Sequence, residues 1–127
     1  MFRQRHPYLV QKEHTEFVEK HGVVVTNYSP LANPGKYSDG PGRLLDNPVV
    51  VELGNTYSKT AAQILIRWGI DKGAVVIPKS VKESRIKENM DVFDFQLTAD
   101  DVAAIDALDQ GHRFLNFDFW DGIALFS

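Results

Sequence analysis

A chain of 127 residues, 43% hydrophobic and 11% aromatic, has the length of one ordinary domain and enough apolar content to fill a core. Fourteen basic residues against seventeen acidic ones leave a formal net charge of -3 with no basic run, which argues against nucleic acid or an anionic membrane as a partner. Zero cysteines exclude a disulfide framework, no stretch reaches the about 20 apolar residues of a membrane span, and Met1-Phe2-Arg3-Gln4-Arg5 lacks the apolar core of a signal peptide, so a cytoplasmic location is expected.

Leu9 to Lys20 carries Val10, Phe17 and Val18 among charged neighbours, which predicts an amphipathic helix ending at His21-Gly22. His14 and His21 lie on that helix, but no carboxylate or cysteine completes a tetrahedral set, so no metal site is expected. Val23-Val24-Val25-Thr26 reads as a buried strand. Tyr28-Ser29-Pro30-Leu31 follows, then a glycine- and proline-rich loop through Asn33-Pro34-Gly35 and Gly40-Pro41-Gly42. Loops longer than about 12 residues are usually functional or disordered, and this one leaves the same end of the sheet as Lys79-Ser80. Asn47-Pro48 opens the next helix, asparagine as cap and proline in the first turn; Gly54 weakens it by about 1 kcal/mol relative to alanine and predicts a short element. Thr60-Ala61-Ala62-Gln63 has the form of a capping box, opening a core helix with Ile64, Leu65, Trp68 and Ile70 before Gly73.

Val75-Val76-Ile77-Pro78 reads as a strand covered on both faces and ended by proline. Strands near 23–27 and 74–78 joined through helices imply parallel pairing, so the class is α/β. With Ser84 as cap, Arg85, Glu88 and Asn89 share one face of one helical turn. Lys79, Ser80, Arg85 and the free N–H groups of that helix start suit a phosphate, and Glu88 and Asn89 supply acceptor and donor groups for the edge of a base. The competing reading is a solvated helix face, because charges are common in a first helical turn. Thr98-Ala99-Asp100-Asp101 opens the last helix, with Val102, Ile105 and Leu108 inward and Gly111 at its end; the aspartate pair reads as helix-start charge. Residues 112–127 form an aromatic tail with Phe114, Phe117, Phe119, Trp120 and Phe126.

Four strings carry a resemblance. His6-Pro7-Tyr8-Leu9, Tyr28-Ser29-Pro30-Leu31, Ile77-Pro78-Lys79-Ser80 with Arg85, Glu88 and Asn89, and Asp91-Val92-Phe93-Asp94-Phe95, in this order and spacing, resemble the C-terminal part of the aldo-keto reductase family. The resemblance implies a (β/α)8 TIM barrel that binds NADP(H) at the C-terminal ends of its strands and reduces aldehydes or ketones to alcohols. It begins at the end of the sixth strand, so residues 1–127 are expected to be a single partial domain, an incomplete barrel, against about 250 residues for a full one. The family's catalytic aspartate, tyrosine, lysine and histidine all fall upstream of these positions, so no catalytic residue is assigned. The cofactor roles carry over. Tyr28 resembles the aromatic stacked on the nicotinamide, and Ser29 and Leu31 the pyrophosphate contacts. Lys79, Ser80 and the Val81 backbone resemble the group around the 2′-phosphate, Arg85 the partner of that phosphate and of the adenine face, and Glu88 and Asn89 the adenine-edge contacts.

Departures from the family pattern set further expectations. Phe2 stands where the family has a glutamine that holds the nicotinamide carboxamide, and two arginines in Phe2-Arg3-Gln4-Arg5 are costly to bury, so this segment is not expected to form the barrel strand. The chain reads as truncated, starting in mid-family. An incomplete barrel leaves unpaired edges and an uncovered sheet face, which predicts a complementary half barrel or self-association. The aromatic tail either lines a pocket for an apolar carbonyl compound or docks on the barrel wall. Three functions follow: a portion of a reductase, a non-catalytic nucleotide-binding module, or an interaction protein.

Overall fold

Three short parallel strands carry the structure, a computed structural model that describes residues 1–32 and 40–115. Strand β1 is Phe2–Gln4, β2 is Thr26–Tyr28 and β3 is Val75–Val76, hydrogen-bonded in the order β1-β2-β3. Helix α1, Lys12–Lys20, connects β1 to β2. A 3-10 turn at Leu44–Asp46, then α2, Pro48–Tyr57, and α3, Ala61–Asp71, connect β2 to β3. Helices α4, Glu83–Met90, and α5, Ala99–Asp106, follow. Parallel neighbours joined through helices are the α/β arrangement expected.

Local chemistry explains most helix starts. The Asn47 side chain accepts from the Val49 N–H at 3.0 Å with Pro48 in the first turn of α2. Thr60 and Gln63 form a reciprocal capping box at α3, and Thr98 and Asp101 form one at α5. Gly54 does more than weaken α2: a Cβ there would lie 2.8 Å from the Lys59 carbonyl oxygen, so the close turn between α2 and α3 requires glycine. The core lies in the helix layer, where Tyr8, Val50, Ile64, Leu65, Trp68 and Ile105 are buried, each contributing about 1.5–3 kcal/mol through lost apolar exposure. The Trp68 Nε1–H donates to Asp106 at 2.8 Å and Lys72 pairs with the same carboxylate at 2.6 Å, tying α3 to α5.

Four expectations are corrected. Phe2–Gln4 does form a strand, with Arg3 and Arg5 buried. Neighbouring groups receive part of the two guanidinium forks: Arg3 donates to the Gln11 side chain, and Arg5 donates from Nε to the Val10 carbonyl at 3.2 Å and lies 5.5 Å from the centre of the Trp68 ring. Val23 and Val24 are exposed, and pairing starts later, at Thr26. β3 is not covered on both faces: Val75 is 49% and Ile77 45% exposed, because the outer edge of β3 and the face carrying Phe2 and Val75 have no layer over them among the described residues. Helix α1 begins at Lys12 rather than Leu9, since Leu9 and His6 close a tight bridge and Gln11 takes a left-handed conformation, φ 53°; Phe17 faces outward.

The last helix ends at Asp106, ahead of Gly111. Phe114 packs against the core and lies 5.3 Å from the buried His6 ring. Asn33-Pro34-Gly35 in the long loop and Phe117, Phe119, Trp120 and Phe126 in the tail lie outside the described residues.

Candidate functional site

Beyond β3 the chain reverses at Lys79-Ser80 and enters α4. The Ser80 hydroxyl accepts the Lys82 N–H at 3.2 Å, a local turn that starts the helix at Glu83 with Lys82 at the cap position. Ser84, expected as the cap, therefore lies inside α4, and no side chain caps this helix. The face expected from the spacing survives this shift, because Arg85, Glu88 and Asn89 remain at i, i+3 and i+4.

These residues line a cleft of about 460 Å³. Its lining comes from three places in the chain: Lys79, Ser80, Arg85, Glu88 and Asn89 from the turn after β3 and from α4, Leu31, Arg43 and Leu45 from the connection between β2 and α2, and Thr60, Ala61 and Ala62 from the start of α3. Three cations against one carboxylate make it a cationic cleft, and Leu31, Leu45, Ala61 and Ala62 add apolar lining. Cations beside apolar lining suit an anion joined to a planar ring.

Leu31, Lys79, Ser80, Arg85, Glu88 and Asn89 are thus brought together. Tyr28, Ser29 and Val81 do not line this cleft. Tyr28 and Ser29 stand at the end of β2, where Ser29 and Ala32 take positive φ of 51° and 55° and the Ala32 N–H donates to the Ser29 carbonyl at 2.9 Å. That turn redirects the chain from β2 so that Leu31 reaches the cleft, and left-handed φ at a serine costs about 1 kcal/mol or more. Val81 is 81% exposed, just past the Lys79-Ser80 turn.

Sequence reasoning missed Arg43, Leu45, Ala61 and Ala62 as lining residues and saw Thr60 only as a cap. The Thr60 hydroxyl donates to Glu88 Oε1 at 2.6 Å, across 28 residues of sequence. Gln63, only 4% exposed, donates from Nε2 to the Glu88 carbonyl at 3.1 Å and to the Asp91 carbonyl at 2.9 Å. Lys59 closes the same junction, pairing with Asp91 at 3.0 Å and Asp94 at 2.8 Å. Those two aspartates raise the Lys59 ammonium above its ordinary value, chiefly through Asp94, and its hydrogen bond lowers the Asp94 carboxyl. Both capping-box side chains of α3 therefore also hold the end of α4.

A second, more apolar groove of about 750 Å³ borders the free edge of β3, lined by Ile70, Val75, Ile86, Met90 and Phe93 among others. It shares Lys79, Ser80 and Asn89 with the cationic cleft but has only one cation, so the smaller cleft is the better anion site. No group of three metal-ligating side chains occurs among the described residues, and no described helix is long and apolar enough to cross a membrane.

Parallel α/β proteins place their ligand sites at the carboxyl ends of the strands, and the cationic cleft here is lined by the turn that follows β3. Residues 4–110 match the model of the aldo/keto reductase family. The chain belongs to that family. It is 46% identical over 112 residues to aldo-keto reductase family 1 member A1-A of Danio rerio, covering 87% of this chain and 35% of that protein. It is 45% identical over 118 residues to the uncharacterized oxidoreductase YtbE of Bacillus subtilis, covering 90% of this chain and 39% of that one. Among solved structures, an aldo-keto reductase of Bombyx mori in complex with NADP superposes with a TM-score of 0.86 at 35% identity, over 95% of this chain and 40% of that one. The chain thus spans 35–39% of the length of these two curated relatives.

Proposed function

We propose that these residues form the cofactor-anchoring portion of an NADPH-dependent reductase that converts aldehydes or ketones to alcohols, corresponding to the C-terminal part of the family barrel. The observation that carries this reading is the cleft whose lining brings Lys79, Ser80 and Arg85 together with Glu88, Asn89 and apolar side chains. In this reading Lys79, Ser80, the Val81 backbone and Arg85 hold the 2′-phosphate, which favours NADPH over NADH because the latter leaves the cations without an anion. Glu88 and Asn89 face the adenine edge, Ser29 and Leu31 meet the pyrophosphate, and Tyr28 gives the nicotinamide a flat face that excludes water. When bound, the cofactor supplies a hydride. The proton for the substrate oxygen comes from outside these residues, so no catalytic side chain is assigned.

The open sheet edges and the exposed Phe2, Val75, Ile77 and Phe93 support a partner, a complementary half barrel, with self-association as the other way to cover them. The same uncovered face favours a second reading, a non-catalytic nucleotide-binding or interaction module. A cysteine-free chain fits the reducing cytoplasm, where we place the protein.

Titrating the purified chain with NADPH, with carbonyl turnover followed in the same cuvette, tests both readings. The reductase reading expects fluorescence quenching that weakens in Arg85→Ala and Lys79→Ala, with turnover appearing only on addition of an N-terminal half barrel. Quenching with no turnover after that addition supports the binding module, and a flat titration removes the nucleotide site.

A further inference from the structure

Thr60 carries two hydrogen bonds of different purpose. Its hydroxyl oxygen accepts the Gln63 N–H at 3.3 Å, capping α3, and its hydroxyl proton goes to Glu88 Oε1 at 2.6 Å. The cap requires only an acceptor; the donation to Glu88 contributes nothing to the helix start. That second bond fixes one oxygen of a carboxylate which lines the cleft beside Asn89. Gln63 holds the Glu88 backbone from below, so the side chain is located from both ends.

We propose that Thr60 is a positioning residue that sets purine choice: by holding Oε1 of Glu88 it aims Oε2 into the cleft, where an ionised carboxylate accepts from a 6-amino purine and repels a 6-keto purine. This rests on the nucleotide reading of the cleft and deepens it. An ionised carboxylate has acceptors and no donor, so an amino group at the purine 6-position is matched and a carbonyl oxygen there is opposed. Without Thr60 the Glu88 side chain is free to rotate into solvent, since the other hydrogen bonds made by Glu88 among the described residues are to its backbone carbonyl. The phosphate grip of Lys79 and Arg85 is independent of this bond, so the effect falls on base selectivity rather than on overall affinity.

The test uses the full chain and two probes of equal charge, adenosine 2′,5′-bisphosphate and inosine 2′,5′-bisphosphate, with affinities measured by calorimetry and folding checked by thermal melting. The unaltered chain should prefer the adenosine probe by about tenfold, the size of one hydrogen bond to a charged group. Thr60→Gly keeps the helix start to within a few tenths of a kcal/mol, since glycine is a tolerated cap, and should bring the preference to about one with the adenosine affinity falling no more than tenfold. Thr60→Ala also removes the donor without adding charge, at a cost of about 1 kcal/mol to the helix start, and should likewise lose the preference. Thr60→Ser should restore it. A preference unchanged in a folded Thr60→Gly or Thr60→Ala chain overturns the role of Thr60 while leaving the nucleotide site standing. Failure of the unaltered chain to bind either probe overturns the nucleotide reading and this inference together.

Discussion

Replacing Arg5 with methionine should make the protein more stable, although it removes a cation–π contact and a hydrogen bond. Arg5 is 1% exposed, and its Nη1 and Nη2 atoms are buried with no hydrogen-bond partner among the described residues. Burial pushes its guanidinium down from the ordinary value; Glu19 and Asp106 act the other way and are the weaker influence. Relieving two unpartnered charged donors recovers about 2–4 kcal/mol. Losing the Nε bond to the Val10 carbonyl and the stack on Trp68 costs about 2 kcal/mol together. The methionine chain has similar reach and gains about 1 kcal/mol of apolar burial. The net is about 2 kcal/mol in favour of Arg5→Met, which at a slope of about 2 kcal/mol per M moves a urea midpoint up by about 1 M at pH 7. Tryptophan fluorescence of Trp68 reports the transition. A midpoint lowered by a similar amount would refute the reasoning, showing that the guanidinium is fully partnered in solution.

Burial, with His112 and Arg113 adding positive charge nearby, pushes the His6 imidazole from 6.5 down to about 3. The unfolded chain therefore binds a proton that the folded chain refuses between those two values, so this contribution is complete above pH 6.5 and stability falls by about 1.4 kcal/mol per pH unit below it. Urea midpoints measured from pH 7 to pH 5 should show that decline, and His6→Gln should flatten it; a decline that persists in His6→Gln refutes the assignment. Gly54→Ala places a Cβ 2.8 Å from the Lys59 carbonyl, so despite a helix-propensity gain of about 1 kcal/mol it should lower the melting temperature, and a higher one contradicts the close approach. Gln63→Ala leaves the Glu88 and Asp91 carbonyls without the donor that joins α3 to α4, costing about 2 kcal/mol; amide exchange should quicken in α4, and protection equal to the unaltered chain would show that the clamp is dispensable.

Features that depend on near neighbours in the chain were legible from the sequence. Asn47-Pro48, the Thr60–Gln63 box and the Thr98–Asp101 box start helices where their side-chain chemistry says they should, because a cap is satisfied within three residues. Trp68 in the core and the shared face of Arg85, Glu88 and Asn89 follow from helical periodicity alone. The misreadings involve groups far apart in sequence. Two arginines in β1 argue against a strand until Gln11, the Val10 carbonyl and the Trp68 ring are brought beside them. A run of three valines signals burial, yet Val23 and Val24 lie ahead of the paired segment and face outward. Ser84 looked like the cap of α4, but Ser80 turns the chain two residues sooner than expected. The cleft lining from Arg43 and Leu45, and the second bond of Thr60, have no local signal because their partners are brought near only by the fold.

In the proposed function the cleft between α4 and the start of α3 anchors a 2′-phosphorylated adenine nucleotide. Paired titrations of the chain with NADPH and NADH under identical low-salt conditions test it most directly. Binding at least about tenfold tighter is expected for NADPH, with a gap that closes in Arg85→Ala and narrows as salt is raised. Equal affinity for the two, or a gap that survives Arg85→Ala and Lys79→Ala together, would contradict it.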